Sequence, residues 1–128
     1  MTDNAAVVDA IYEAFASGDI ETVLGALDPK IEWLEAAGSP YAGTYTGPEA
    51  VLNRVLARLG TEWETFHVEP ERIVSNGDAV IAAGTYTGTY KTTRRTFTAR
   101  FAHIWQLRDG KIIAFEQIAD TAKINEAL

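Results

Sequence analysis

The sequence contains no cysteine, which removes disulfides, thiolate nucleophiles and cysteine-bound zinc in one step. Its two histidines, His67 and His103, are too few for a histidine-rich metal centre, and no EF-hand spacing or paired-aspartate motif is visible. No metal and no cofactor is expected. Basic residues are also scarce, with 11 Lys and Arg against 18 Asp and Glu and a formal net charge of −7. Phosphate backbones call for clustered Lys and Arg, so no nucleic-acid partner is expected. The one local basic cluster, Lys91, Arg94 and Arg95, lies between two strand-like runs and reads as a solvated hairpin tip. No apolar run approaches membrane-spanning length, and Asp3, Asp9 and Glu13 stand where a secretion signal would be basic and then apolar. The expectation is a soluble cytoplasmic protein with no membrane partner.

What is present is ample apolar material, 47% of 128 residues, enough for one core and one domain over residues 1–128. Val7, Val8, Ile11, Tyr12 and Phe15 recur at helical spacing behind Asp3 or Asn4 as N-cap, which predicts a first helix over residues 3–17. Ser17-Gly18 stops it, and Asp19 caps a second, short helix carrying Ile20, Val23, Leu24 and Leu27 before Pro29 ends it. Ile31 to Glu35 alternates as a strand, with Ile31, Trp33 and Glu35 on the inward face. Ala36 to Gly47, with four glycines or prolines beside Tyr41 and Tyr45, suits a loop over a cavity mouth. A third helix opens at Pro48, carries Val51, Leu52, Val55, Leu56 and Leu59 as one stripe, and ends at Gly60.

From Trp63 onward the period changes to two. Asn76-Gly77 and Asp109-Gly110 are strong hairpin turns, and Gly84 and Gly88 inside the strand Val80–Tyr90 predict bends in a curved antiparallel sheet. Phe97, Ala99, Phe101, His103, Trp105 and Leu107 share one face of the next strand, so a histidine stands on an otherwise apolar wall and must find a partner there or line a pocket. The last strand runs from Lys111 to about Ala119, and Asp120 caps a short helix containing Ile124 and Leu128. Helices first and long antiparallel strands afterwards make an α+β domain with helices packed on one sheet face, a cone that side chains fill or a ligand occupies.

Four segments carry a family resemblance over essentially the whole length: Tyr12-Glu13-Ala14-Phe15-Ala16-Ser17-Gly18-Asp19; Asp28-Pro29-Lys30-Ile31-Glu32-Trp33; Gly43-Thr44-Tyr45-Thr46-Gly47-Pro48-Glu49-Ala50-Val51; and Phe101-Ala102-His103-Ile104-Trp105 with Arg108-Asp109-Gly110-Lys111-Ile112. In order and spacing the chain resembles the NTF2-like superfamily, and within it the SnoaL-like, ketosteroid-isomerase-related branch. The resemblance implies a cone-shaped α+β barrel, with three helices in the N-terminal half on a strongly curved antiparallel sheet, often dimeric through the sheet's outer surface. It implies a general base at Glu35, the position just after the first strand. The family's helix-one tyrosine position matches Ile11, with Tyr12 one place on, and its protonated acid position matches Ala102. Against the polyketide cyclases of this branch, His103 matches an inward histidine, and Gln117 stands where an acid/base aspartate belongs.

The function expected is therefore an apolar cavity for a small hydrophobic or polycyclic carbonyl compound. Glu35 and His103 are the candidate catalytic residues, and Tyr12, Trp33, Trp63, Tyr86, Phe101, Trp105 and Gln117 are candidates to contact substrate. In such a cavity Glu35 would abstract a proton next to a carbonyl, while His103 and Tyr12 stabilise the enolate. Without ligand, His103 is expected to pair with Glu35, Tyr12 or Gln117. Two other readings stand beside this one. In one the cavity serves binding alone, which Gln117 and Ala102 favour; in the other the outer sheet face, with Thr85, Thr87 and Thr89, builds a homodimer around a filled core.

Overall fold

The computed structural model describes residues 3–128. Helix α1 spans Asn4–Ser17. The Asp3 carboxylate accepts the Ala6 N–H at 3.2 Å, and Gly18 takes a left-handed φ of 75° to end the helix. Helix α2 spans Ile20–Gly25 with Asp19 accepting the Thr22 N–H. It stops earlier than the sequence suggests, and Leu27 opens strand β1, Leu27–Glu35. Pro29 therefore lies inside a strand. It is tolerated because the ladder is interrupted there: β1 pairs with the last strand at Leu27 and again only from Glu32, so its missing N–H breaks no bond.

The expected loop at 36–47 is shorter than the sequence reading gave it. Gly43–Thr46 forms an edge strand, β2, antiparallel to β1, since Thr-Tyr-Thr is β-forming material once its glycines supply the turns. A helical run follows in three parts: α3, Pro48–Val51; a π-helical turn, Leu52–Leu56; and α4, Ala57–Glu62. It passes Gly60 by two residues. The wider π turn brings both Val55 and Leu56 inward beside Val51.

Four long strands then form a meander: β3, Trp63–Asn76; β4, Ala79–Tyr90; β5, Thr96–Arg108; and β6, Lys111–Ala119. The sheet order is β2-β1-β6-β5-β4-β3, antiparallel throughout except where β1 lies parallel to β6. β3 carries register shifts between Trp63 and Thr65 and between Pro70 and Arg72, which curve the sheet. Gly84 sits across from Pro70 at one of them, where a Cβ would lie 2.1 Å from the Glu69 carbonyl oxygen. The short helix α5, Thr121–Asn125, is capped by Asp120. Ile124 is buried in it, whereas Leu128, expected in the same helix, lies beyond its end and is exposed; Ala127 is buried instead.

The alternation read from β5 holds throughout, with Phe97, Ala99, Phe101, His103, Trp105 and Leu107 all buried. The main core lies between α1, the helical run and the concave sheet face, from Val8 and Ile11 across to Trp105 and Phe115. A second apolar cluster, with Trp63, Tyr86, Phe97 and Phe101 at its centre, is closed by Ile124 and Ala127. No helix among the described residues is long and apolar enough to cross a membrane.

Candidate functional site

Between the two clusters lies a cavity of about 60 Å³, room for a few waters. Strand pairing explains what lines it. Within a β-sheet, directly paired residues share a face, so the pair His103 and Gln117 and the pair Trp33 and Phe115 point together into the cone. Glu35 joins them two residues beyond Trp33 at the end of β1. Tyr12 comes from α1, Tyr86 from β4 and Trp63 from the start of β3, and Ser39, Pro40 and Tyr41 cover the side left by the sheet. Of the residues expected from sequence, Tyr12, Trp33, Glu35, Trp63, Tyr86, His103, Trp105 and Gln117 meet at this cavity. Phe101 is not on its wall. It packs one layer back, stacked on His103 at 4.2 Å and on Tyr86 at 4.4 Å between ring centroids.

Three glutamate, glutamine and histidine side chains are the buried polar groups among the described residues, and each is held differently. The His103 ring is bridged by two phenols: the Tyr12 hydroxyl lies 2.6 Å from Nδ1 and the Tyr86 hydroxyl 2.5 Å from Nε2. Trp105 Nε1–H donates to the Tyr12 oxygen at 3.0 Å, and Gln117 Nε2–H donates to the Tyr86 oxygen at 3.0 Å. Gln117 is itself fixed, because its Oε1 accepts the Ala36 N–H at 3.0 Å. Glu35 stands apart from this chain. Its Oε2 accepts the Trp33 indole N–H at 3.2 Å, and no described residue bonds its other oxygen.

These surroundings set the charges. Burial pushes the Glu35 carboxyl up from 4.5 to about 7, against the smaller downward pull of the Trp33 N–H, so at neutral pH it is near half-ionised. Burial pushes the His103 imidazole down from 6.5 to about 3, leaving a neutral ring with one N–H and one bare nitrogen. Tyr12 and Tyr86 are both raised by burial, and Tyr86 is raised further by the nearby Glu35 charge. No group of three or more His, Asp or Glu among the described residues is placed to hold a metal ion. The chemistry on offer is proton exchange at Glu35 beside neutral hydrogen-bond donors.

The mouth is tied by a cluster around Tyr41, a residue that sequence reasoning assigned only to a loop. The Tyr41 hydroxyl donates to Glu62 at 2.7 Å and accepts the Trp63 indole N–H at 2.9 Å. Arg58 lies over the Tyr41 ring at 4.4 Å and donates to the same Glu62 at 2.9 Å. Phe115 and Phe66 also line the cavity without having been singled out. Phe115 was findable, since it has the parity of Gln117 on β6; Phe66 sits in a polar run where alternation alone says little.

Comparison with known proteins agrees with this geometry. A model of the SnoaL-like domain family matches residues 8–115. An NTF2-like protein from Burkholderia thailandensis is 37% identical, with 99% of this chain and 98% of that chain covered and a TM-score of 0.96. An NTF2-like protein of unknown function from Burkholderia pseudomallei is 30% identical over 99% of this chain and 98% of its own, with a TM-score of 0.90. TerC, co-crystallised with polyporic acid, is 30% identical, with 97% and 96% covered and a TM-score of 0.87. No functionally curated protein matches the sequence. The matched residues, the helix-lined curved sheet and the inward-facing cavity lead to one assignment: the chain belongs to the SnoaL-like family and has the NTF2-like α+β fold.

Proposed function

We propose that the cavity binds a small hydrophobic carbonyl compound and that Glu35 moves a proton next to its carbonyl group, the chemistry of an isomerase or a cyclase. The observation that carries this is the state of Glu35. It is a buried carboxyl with one oxygen tethered to Trp33, the other free, and a pKa near 7. Such a group takes up and returns a proton at neutral pH with little cost in either direction. In the forward step the carboxylate removes an α-proton, the C–H electrons form the enolate double bond, and the carbonyl π electrons move to oxygen. A tyrosyl O–H then holds the oxyanion. The protonated Glu35 returns its proton to the same or another carbon, so the step needs no oxidant, reductant or cofactor.

At about 60 Å³ the cavity is smaller than the ~150 Å³ void that takes up a benzene ring, so even a single-ring ligand requires lining side chains or the 36–42 segment to move. The co-crystal of TerC with polyporic acid supports an organic small molecule as ligand and supplies one probe. Isothermal titration with polyporic acid and a panel of cyclic enones, followed by product analysis, tests the reading. Glu35→Gln should abolish turnover and spare binding. Full activity in that variant overturns the base assignment. Ligand that binds and is recovered unchanged favours binding without catalysis, the reading that Gln117 at the expected acid position supports.

We also infer that two copies pair through the outer sheet face. Val74, Ile81 and Ile118 are exposed there, Ile81 pairs with Ile104 across β4 and β5, and Ile118 pairs with Ala102 across β5 and β6. An apolar centre of this kind on one face suits a self-complementary two-fold contact. Sedimentation equilibrium should give a dimer that Ile81→Glu converts to monomer. A monomer for the unchanged protein at high micromolar concentration overturns it.

A further inference from the structure

The phenol–imidazole–phenol bridge holds more protons than it has bonds to use. The Tyr12 O–H, the Tyr86 O–H and the single N–H of a neutral His103 all share the two links to Nδ1 and Nε2. The remaining neighbours cannot absorb the excess, because Trp105 Nε1 and Gln117 Nε2 are themselves donors to those oxygens. The Gln117 amide cannot turn its oxygen toward Tyr86 without losing the Ala36 N–H. One tyrosyl O–H is therefore left over, whichever tautomer the ring adopts.

We propose that Tyr86 presents this spare O–H to the ligand, that His103 is a positioning residue which frees it by donating from Nε2 to the Tyr86 oxygen while accepting at Nδ1 from Tyr12, and that the ligand is an uncharged compound with its carbonyl oxygen at Tyr86. This rests on the reading of Glu35 as the base, and it moves the oxyanion contact from His103 to Tyr86. Both ring nitrogens of His103 are occupied, so the imidazole has no atom to offer a ligand. Tyr86 is favoured over Tyr12 because it lies within the field of Glu35, and a negative carboxylate favours an O–H dipole aimed into the space between them. A carbonyl seated there meets a donor and a base on the same side. An uncharged ligand follows because no Lys or Arg among the described residues lines the cavity, the ring is neutral, and ionised Glu35 repels an anion.

The titratable groups around the ring are Tyr12 on α1, Tyr86 on β4 and Glu35 on β1. Nitrogen-15 NMR of the histidine-labelled protein reads its tautomer directly, with the exposed His67 giving the second imidazole signal. His103 should show one protonated and one bare nitrogen, with no second proton gained between pH 8 and pH 5. Adding 2-cyclohexen-1-one should shift the proton to Nε2, whereas cyclohexene, which lacks the carbonyl, should not. The enone should bind about tenfold more tightly than the alkene, the ratio that one neutral hydrogen bond gives, and Tyr86→Phe should erase that preference. An imidazolium, a proton on Nδ1 with enone bound, or equal binding of enone and alkene overturns the proposal. None of these readouts depends on turnover, so loss of the Glu35 reading and loss of this one are separately visible.

Discussion

Glu35 and His103 line one cavity without sharing a hydrogen bond: the carboxyl is anchored to Trp33 and the imidazole to Tyr12 and Tyr86. A direct carboxylate–imidazolium pair would have lowered the pKa of the first and raised that of the second. Each instead meets mainly the cost of burial, so both are pushed toward their neutral forms. The site is thus poised around an uncharged state.

One consequence concerns rate. If Glu35 is the base, kcat/KM should rise with pH through a single ionisation near 7 and then stay level. His103, held neutral down to about 3, should add no limb between pH 5 and pH 9. A steady-state pH profile with any enone substrate checks this, and a bell with an acidic limb near 6 would assign the chemistry to the imidazole.

A second concerns stability. In the folded chain Glu35 keeps its proton up to about 7, but in the unfolded chain only to 4.5. Between those values the folded state holds more protons, and its stability falls as pH rises. Glu35→Gln removes that loss. The variant should match the parent near pH 4 and exceed it by roughly 3 kcal/mol above pH 8. Urea unfolding at the two pH values measures the difference.

These expectations rest on a site only partly legible in the sequence. The family resemblance pointed to Gln117, and strand parity identified Glu35 and His103 as inward, because alternation is a local property that any sheet must respect. It did not choose among partners. Tyr12, Glu35 and Gln117 were all left open as partners of His103, and Tyr86, which also bonds it, was read only as part of the wall. The choice was made by the depth at which α1 crosses the sheet and by the strand register. Pro29 misled for a related reason: a proline ends a helix or sits in a strand bulge, and only the interrupted pairing with β6 decides which. Phe101 had the right parity but the wrong height along β5.

Two glycines should respond in opposite ways. Gly84→Ala drives a Cβ toward the Glu69 carbonyl oxygen and the Phe101 ring and should cost about 3 kcal/mol or more, at the upper end for overpacking. Gly60→Ala, in α4 with open space around its Cβ, should stabilise by about 0.5–1 kcal/mol through helix propensity. Paired thermal melts decide both signs.

Tyr41→Phe should loosen the cavity mouth. It strands the buried Trp63 indole N–H and removes the bond to Glu62, a loss of about 1–3 kcal/mol. Hydrogen exchange should speed up at the Ser39 and Ala42 amides, which bond only within this loop. Unchanged exchange there would mean that Tyr41 does not restrain the segment.

The single parallel contact in the sheet has a consequence for how the protein is made. β3 to β6 can pair each with its predecessor as the chain emerges, but β1 has no neighbour on its inner side until β6 exists. The Ala36 amide and the Gln117 oxygen that meet beside the cavity stand 81 positions apart in the chain. Contacts of such span form late, after the entropy of a long loop has been overcome. During synthesis, then, the strand carrying Glu35 waits unpaired on that side, and the polar site is assembled in the last step of folding.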